Sequence, residues 1–95
     1  MAIWHIEWKA SAAKELRSLD RQWIPKVLAA ITSLASNPFP AGVKKLQGSE
    51  HTYRLRVNDY RVIYETQQTR VTVEIMRIRH RKDVYGTSRE SVGDS

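Results

Sequence analysis

The chain has no cysteine, which excludes disulfides and thiolate metal sites and suits a reducing compartment. No stretch approaches the roughly 20 apolar residues of a membrane-spanning helix. The opening Met-Ala-Ile-Trp-His-Ile-Glu-Trp has neither a basic start nor an apolar run of signal-peptide length, so a soluble, cytoplasmic protein is expected. His5, His51 and His80 fall on three different predicted elements and show no metal-ligand spacing. The chain also lacks a P-loop, a dinucleotide-binding glycine motif and a nucleophile elbow. Neither a metal nor a cofactor is therefore expected. Acidic residues are the minority: 10 Asp and Glu stand against 16 Lys and Arg, a net charge of +6 with a pI near 10.0. That balance favours a polyanionic partner, whether nucleic acid, an acidic protein or an anionic membrane surface.

What is present is ordinary for a globular chain. The 95 residues, 41% hydrophobic and 27% charged, can build one modest core. Repeats, low-complexity tracts and domain-splitting linkers are absent. The sequence predicts a single domain over residues 1–85, followed by a polar tail at 86–95 that has no periodicity and is expected to be loose.

Residues 3–8 alternate, with Trp4, Ile6 and Trp8 on one side of a half-buried strand. Ser11 is a suitable N-cap for a helix over about 12–19, and Asp20 for a second helix carrying Ile24, Val27, Leu28, Ile31, Leu34 and Ala35. Pro25 suits the first turn of that helix, and Asn37-Pro38-Phe39-Pro40 ends it. Residues 41–52 read as a loop carrying Lys44, Lys45 and Gly48.

The most informative segment is Tyr53-Arg-Leu-Arg-Val-Asn-Asp-Tyr-Arg-Val-Ile-Tyr64, two period-2 strands joined by Asn58-Asp59. Pairing Val57 with Tyr60 puts Leu55 opposite Val62 and Tyr53 opposite Tyr64 on one apolar face. It also sets Arg56 directly across from Arg61 on the other. Like charges opposed at about 5 Å destabilise a sheet, whereas a bound anion would offset the cost. A last strand from Arg70 to about Ile78 continues the arithmetic, with Glu65 opposite Arg70, Tyr64 opposite Val71, Val62 opposite Val73 and Tyr60 opposite Ile75. In that register Glu74 lies across from Arg61. The predicted architecture is α+β: a mainly antiparallel four-stranded sheet with an N-terminal helical hairpin on one face, in the order β-α-α-β-β-β.

The exposed face would collect Arg54, Arg56, Arg61 and Glu74, joined by Arg77-Ile-Arg-His-Arg-Lys-Asp-Val-Tyr85. Arginine binds phosphate through two parallel charge-assisted hydrogen bonds. His80 is the natural acid/base there, because its unperturbed pKa lies near neutrality. Tyr85 can stack on a base or donate a proton. Blander readings stand beside these. Charged strand faces are usually solvated surface, Arg61 with Glu74 is also a plain cross-strand ion pair, and Trp4, Trp8 and Tyr64 are core residues. Lys9, Lys14, Arg17, Arg21 and Lys26 on the helices form either a solvated face or a second contact with an RNA backbone.

Four segments in order carry a resemblance: Ser-Ala-Ala-Lys-Glu-Leu-Arg-Ser-Leu-Asp at 11–20, Val-Lys-Lys-Leu-Gln-Gly at 43–48, the hairpin at 53–64, and His-Arg-Lys-Asp-Val-Tyr at 80–85. Together they resemble the RelE branch of the RelE/ParE toxin superfamily. The resemblance implies a type II toxin held inactive by a cognate antitoxin protein. It implies a ribosome-dependent endoribonuclease that cleaves mRNA in the A site by attack of a 2′-hydroxyl on the adjacent phosphate. Arg61, Arg81, Tyr85 and His80 would then be catalytic, and Arg54, Arg56, Lys44 and Lys45 would bind RNA. The ribosome and mRNA would be partners, with no membrane and no small-molecule cofactor. Better-known members carry lysines where this chain has Arg54 and Arg56. Arginine cannot be tuned to act as a base, so proton abstraction would fall to His80 or a ribosomal group. A ParE-like inhibitor of DNA gyrase and a non-catalytic module binding RNA or an antitoxin are the alternatives.

Overall fold

The computed structural model describes residues 3–80. Strand β1 (His5–Trp8) leads into helices α1 (Ala10–Arg17) and α2 (Ile24–Ser33), followed by β2 (Lys44–Lys45), β3 (Thr52–Val57), β4 (Tyr60–Gln67) and β5 (Thr72–His80). The strands form one sheet in the order β1-β5-β4-β3-β2. All neighbours are antiparallel except β1 and β5. The α+β expectation holds, with a fifth strand: Lys44 and Lys45, read as loop, pair with Arg54 and Tyr53 at the sheet edge.

α1 starts earlier than the capping pattern suggested. Lys9 is still extended and donates its N–H to Ile75 O at 3.0 Å, and the helix begins at the next residue. Ser11 therefore lies inside α1, and no side chain caps its start. Asp20 is likewise not a cap. Its carbonyl accepts Trp23 N–H at 2.9 Å in a turn, and α2 follows, with Pro25 in its first turn where a missing N–H costs nothing. α2 ends in the expected place. Leu34, Ala35 and Ser36 donate to carbonyls three residues back, and Asn37 Oδ1 accepts Phe39 N–H at 3.0 Å.

The helices cover one face of the sheet. Ala12, Val27, Ile31 and Leu34 pack there with Tyr60, Val62, Tyr64, Val73, Ile75 and Ile78. Full burial of such side chains stabilises by roughly 1.5–3 kcal/mol each. Trp4, Trp8 and Tyr64 belong to this core or its margin, as expected. A chain of ring contacts runs Trp4–Phe39–Tyr53–Tyr64. The Tyr64 hydroxyl, completely buried, donates to Pro38 O at 2.6 Å. That bond ties the loop after α2 to the centre of the sheet.

The β3–β4 hairpin has the expected register, Val57 with Tyr60 through Tyr53 with Tyr64, including Arg56 opposite Arg61. Asn58 takes the left-handed conformation its turn requires, with φ 54°. The β4–β5 register differs from the expectation. Gln67 pairs with Thr72, Thr66 with Val73, Glu65 with Glu74 and Tyr64 with Ile75. β4 is thus longer, and Arg70 and Val71 belong to the turn, Val71 at a left-handed φ of 49°. After Ile75 a bulge shifts the register, so that Ile63 pairs with Arg77, Val62 with Ile78, Arg61 with Arg79 and Tyr60 with His80. Strict alternation from Val73 and Ile75 would turn Arg77 into the core and Ile78 out. One extra residue reverses this and buries Ile78.

Candidate nucleic-acid interface

The face of the sheet away from the helices is laid out in rows by the pairing. Directly opposed residues share a face, so Arg56, Arg61 and Arg79 form a line across β3, β4 and β5. One pleat along, Lys44, Arg54, Ile63 and Arg77 form the next line. Beyond it lie Thr52, Glu65, Glu74 and Glu7. The face is therefore basic at the Asn58–Asp59 end and acidic at the other. Glu74, expected beside Arg61, stands opposite Glu65, because the true register shifts it four residues toward the far turn. Arg61 consequently has an arginine on each side.

Lys44, Arg54, Arg56 and Arg61, with Gly42, line a cleft of about 100 Å³. Gly42 has φ 89° and would meet nothing within 4 Å if it bore a Cβ. Backbone conformation therefore favours glycine at the bend that leads the chain into β2. Arg54 and Arg61 are half-buried, and Arg56 and Lys44 are exposed. The four cations have no ion-pair partner among the described residues; the ion pairs there join Arg70 to Glu7 at 3.0 Å and Arg77 to Glu15 at 3.2 Å. Arg56 Nε makes one long bond, 3.4 Å, to Asn58 O. Two unit charges 4 Å apart repel by about 1 kcal/mol in bulk water and by more near a protein surface. Such a cluster is electrostatically primed for an anion, and planar guanidinium groups match a phosphate.

The predicted site residues are only partly assembled here. Lys44, Arg54, Arg56 and Arg61 converge on the cleft. Lys45 pairs with Tyr53, whose ring stacks inward on Tyr64, so it lies on the opposite face from Lys44. His80 also departs from the expectation. It pairs with Tyr60 and packs edge-to-face on that ring at 4.9 Å, on the helix side of the sheet. The bulge is the cause, since it exchanges the two faces for every residue after it. Arg81 and Tyr85 lie outside the described residues. Arg79, not foreseen as a site residue, takes a central place. Its only sequence signal was membership of the Arg-Ile-Arg-His-Arg run, and its face depends on the bulge.

Among the described residues the basic cleft is lined by Lys44 and arginines, with no carboxylate or histidine. Arginine stays protonated, and Glu65 is about 13 Å along the strand from Arg61 at roughly 3.3 Å per residue. Among the described residues no group of three or more potential ligands could hold a metal ion. Among the described residues, the charge and planar guanidinium groups of this face suit a phosphate.

A small, mainly antiparallel sheet, helix-covered on one side and carrying a basic cleft on the other, defines the class. Residues 6–85 match the family model described as ParE toxin of type II toxin-antitoxin system, parDE. The chain belongs to this family of type II toxins, in the RelE branch of the RelE/ParE superfamily. The RelE1 protein of Methanocaldococcus jannaschii is 29% identical over 84 residues, 85% of this chain and 93% of that one. RelE in the archaeal RelE–RelB complex of Pyrococcus horikoshii superposes with a TM-score of 0.74 at 27% identity, covering 83% of this chain and 96% of that chain. The isolated E. coli RelE toxin has a TM-score of 0.73 at 19% identity, covering 94% and 98%, and supports the fold alone. Among the described residues no helix is long and apolar enough to cross a membrane.

Proposed function

We propose that the chain is a ribosome-dependent endoribonuclease acting on mRNA in the A site, kept inactive in the cytoplasm by a cognate antitoxin protein. The observation that carries this reading is the Arg56–Arg61–Arg79 row beside the Lys44–Arg54 cleft, a concentration of positive charge on one face of the sheet that suits a polyanion. Arg61 and Arg79 grip the scissile phosphate, and Arg54, Arg56 and Lys44 hold the flanking backbone. Arg81 and Tyr85, next along the chain, complete the grip and stack on the nucleotide. The 2′-oxygen forms a bond to phosphorus while the bond to the 5′-oxygen breaks, leaving a 2′,3′-cyclic phosphate and a 5′-hydroxyl. Charge accumulates on the phosphoryl oxygens in the transition state, where fixed arginines are most effective. The 2′-hydroxyl proton leaves to a ribosomal group, and the departing 5′-oxygen is protonated from the same environment. His80, on the other face, takes no part. The RelE–RelB complex of the Pyrococcus relative supports an antitoxin partner here.

Inducible expression in bacteria, with mapping of RNA 5′ ends, tests the reading. Codon-phased cuts in translated messages that disappear in Arg61→Ala are expected. Growth arrest with intact messages and inhibited supercoiling would replace the reading with gyrase inhibition, the alternative kept open by the ParE description of the family. Absence of both effects would leave a binding module.

A further inference from the structure

We propose that Glu15 is a positioning residue, and that its carboxylate selects the bulged register of β5 and so places Arg79 in the arginine row. The inference deepens the nuclease reading and rests on it for its activity arm. β1 covers the edge of β5 only as far as Trp8 opposite Ile75, and the last backbone bond there is Lys9 N–H to Ile75 O at 3.0 Å. Beyond that point the edge of β5 has no neighbouring strand among the described residues, yet the bulge lies just there. α1 crosses at this place, and Glu15 closes the gap. Its Oε1 accepts the Ile78 N–H at 2.7 Å and its Oε2 the Arg77 Nε at 3.2 Å.

The choice of amide matters. Alternate N–H groups of a strand point to opposite edges. On the β1 side Val71 O and Ile75 O face the neighbour, so an unbulged strand would present the Arg77 amide there and turn that of Ile78 toward β4. Glu15 meets Ile78, which requires the extra residue. A carboxylate accepting from an otherwise unpaired edge amide favours the bulged register over the regular one. The regular register would send Arg77 and Arg79 to the core side, burying charge, and would expose Ile78. The bulge is thus favoured by Ile78 burial from inside and by Glu15 from the edge, and Arg79 shares a face with Arg61 as a consequence.

The test compares the full chain as wild type, Glu15→Ala, Glu15→Gln and Arg77→Met by NMR and by cleavage in a reconstituted translation system. Glu15→Ala is expected to lose the Ile63–Arg77 and Arg61–Arg79 cross-strand contacts while keeping Tyr64–Ile75 and Thr66–Val73. Its kcat should fall about 10- to 100-fold, the scale of a roughly 1 Å misplacement of a reacting group. Glu15→Gln keeps an acceptor oxygen for Ile78 and is expected to restore both contacts and rate. Arg77→Met breaks only the ion pair and should leave the Arg61–Arg79 contacts unchanged. Intact Arg61–Arg79 contacts in Glu15→Ala, or a Gln variant as impaired as the Ala variant, would overturn the proposal. If Glu15→Ala fails to fold, hydrogen exchange of the Ile78 amide in the wild type decides: protection supports the carboxylate bond, and rapid exchange refutes it. Contacts that respond as expected in a protein that cuts no RNA would reject the nuclease reading and leave the positioning role standing.

Discussion

Arg61 and Arg79 stand directly opposite each other on β4 and β5, and Arg56 opposes Arg61 from the other side. Opposed like charges work against a sheet, and Arg56 and Arg61 have no ion-pair partner among the described residues. Binding a phosphate gains a great deal. Activity and stability should therefore respond in opposite directions to the same substitutions.

Arg61→Ala is expected to lower RNA cleavage by about 10²- to 10³-fold, the usual effect of removing one donor to a developing oxyanion. The same change should raise the unfolding free energy by about 0.2–1 kcal/mol through relief of repulsion, offset in part by lost packing of the arginine stem. Urea denaturation beside a cleavage assay measures both. A joint loss of activity and stability would mark Arg61 as a structural residue.

Binding of single-stranded RNA by the isolated chain should weaken steeply with salt. Each neutralised phosphate contributes a slope of about −0.7 in log K against log salt. Arg54→Ala or Lys44→Ala is expected to flatten the plot by about one such unit, while Lys45→Ala, on the other face, should leave it unchanged. A filter-binding titration over a range of salt concentrations distinguishes them.

Glu65, Glu74 and Glu7 repeat the pattern with opposite sign at the far end of the sheet, where the Arg70 guanidinium bonds to Glu7 and to Gln67. Glu74→Thr removes the middle charge and suits a strand. It should stabilise by about 0.2–1 kcal/mol and leave cleavage intact, as thermal denaturation and 5′-end mapping would report.

Tyr64 supplies a pH prediction. Burial, with Tyr53 adding to it, raises its pKa well above the usual tyrosine value. In the unfolded chain the phenol ionises near pH 10, while in the folded chain it stays protonated. The unfolded state then binds fewer protons, so stability is full below about pH 10 and falls by up to about 1.4 kcal/mol per pH unit above it. Tyr64→Phe should abolish this dependence. It also deletes the bond to Pro38 O and strands that carbonyl, at a cost of about 1–3 kcal/mol at neutral pH. Denaturation midpoints from pH 8 to 11.5 give both effects.

Period-2 alternation shows which residues share a face but constrains register only to steps of two. The β3–β4 hairpin escapes this ambiguity because Asn58-Asp59 permits one tight closure, so Arg56 opposite Arg61 was legible. The β4–β5 turn has no such marker. Pairing Tyr64 with Val71 or with Ile75 keeps Val73 and Ile75 inward, so alternation alone does not choose between the two registers. The structure takes the longer hairpin, which buries Thr66 against Val73 and puts Val71 into the turn. The start of α1 and the two caps differ from the expectation for a related reason, while α2 begins at Ile24, within the expected range from Asp20 to Ile24. Ser11 and Asp20 are good caps locally, but the bonds of Lys9 to Ile75 and Trp23 to Asp20 set the path into each helix.

Local pattern, charge balance and motif order by themselves determined the α+β class, the core face, the family and the arginines of the first hairpin. These follow from alternation, turn chemistry and residue type, which act over a few positions. Tertiary structure decided that Glu74 faces Glu65 rather than Arg61, that His80 packs on Tyr60, and that Arg79 joins the row. The first follows from the longer β4–β5 hairpin. The other two follow from one inserted residue in β5, which long-range packing favours: Ile78 must enter the core, and its amide must meet Glu15 from a helix more than sixty residues earlier in the chain.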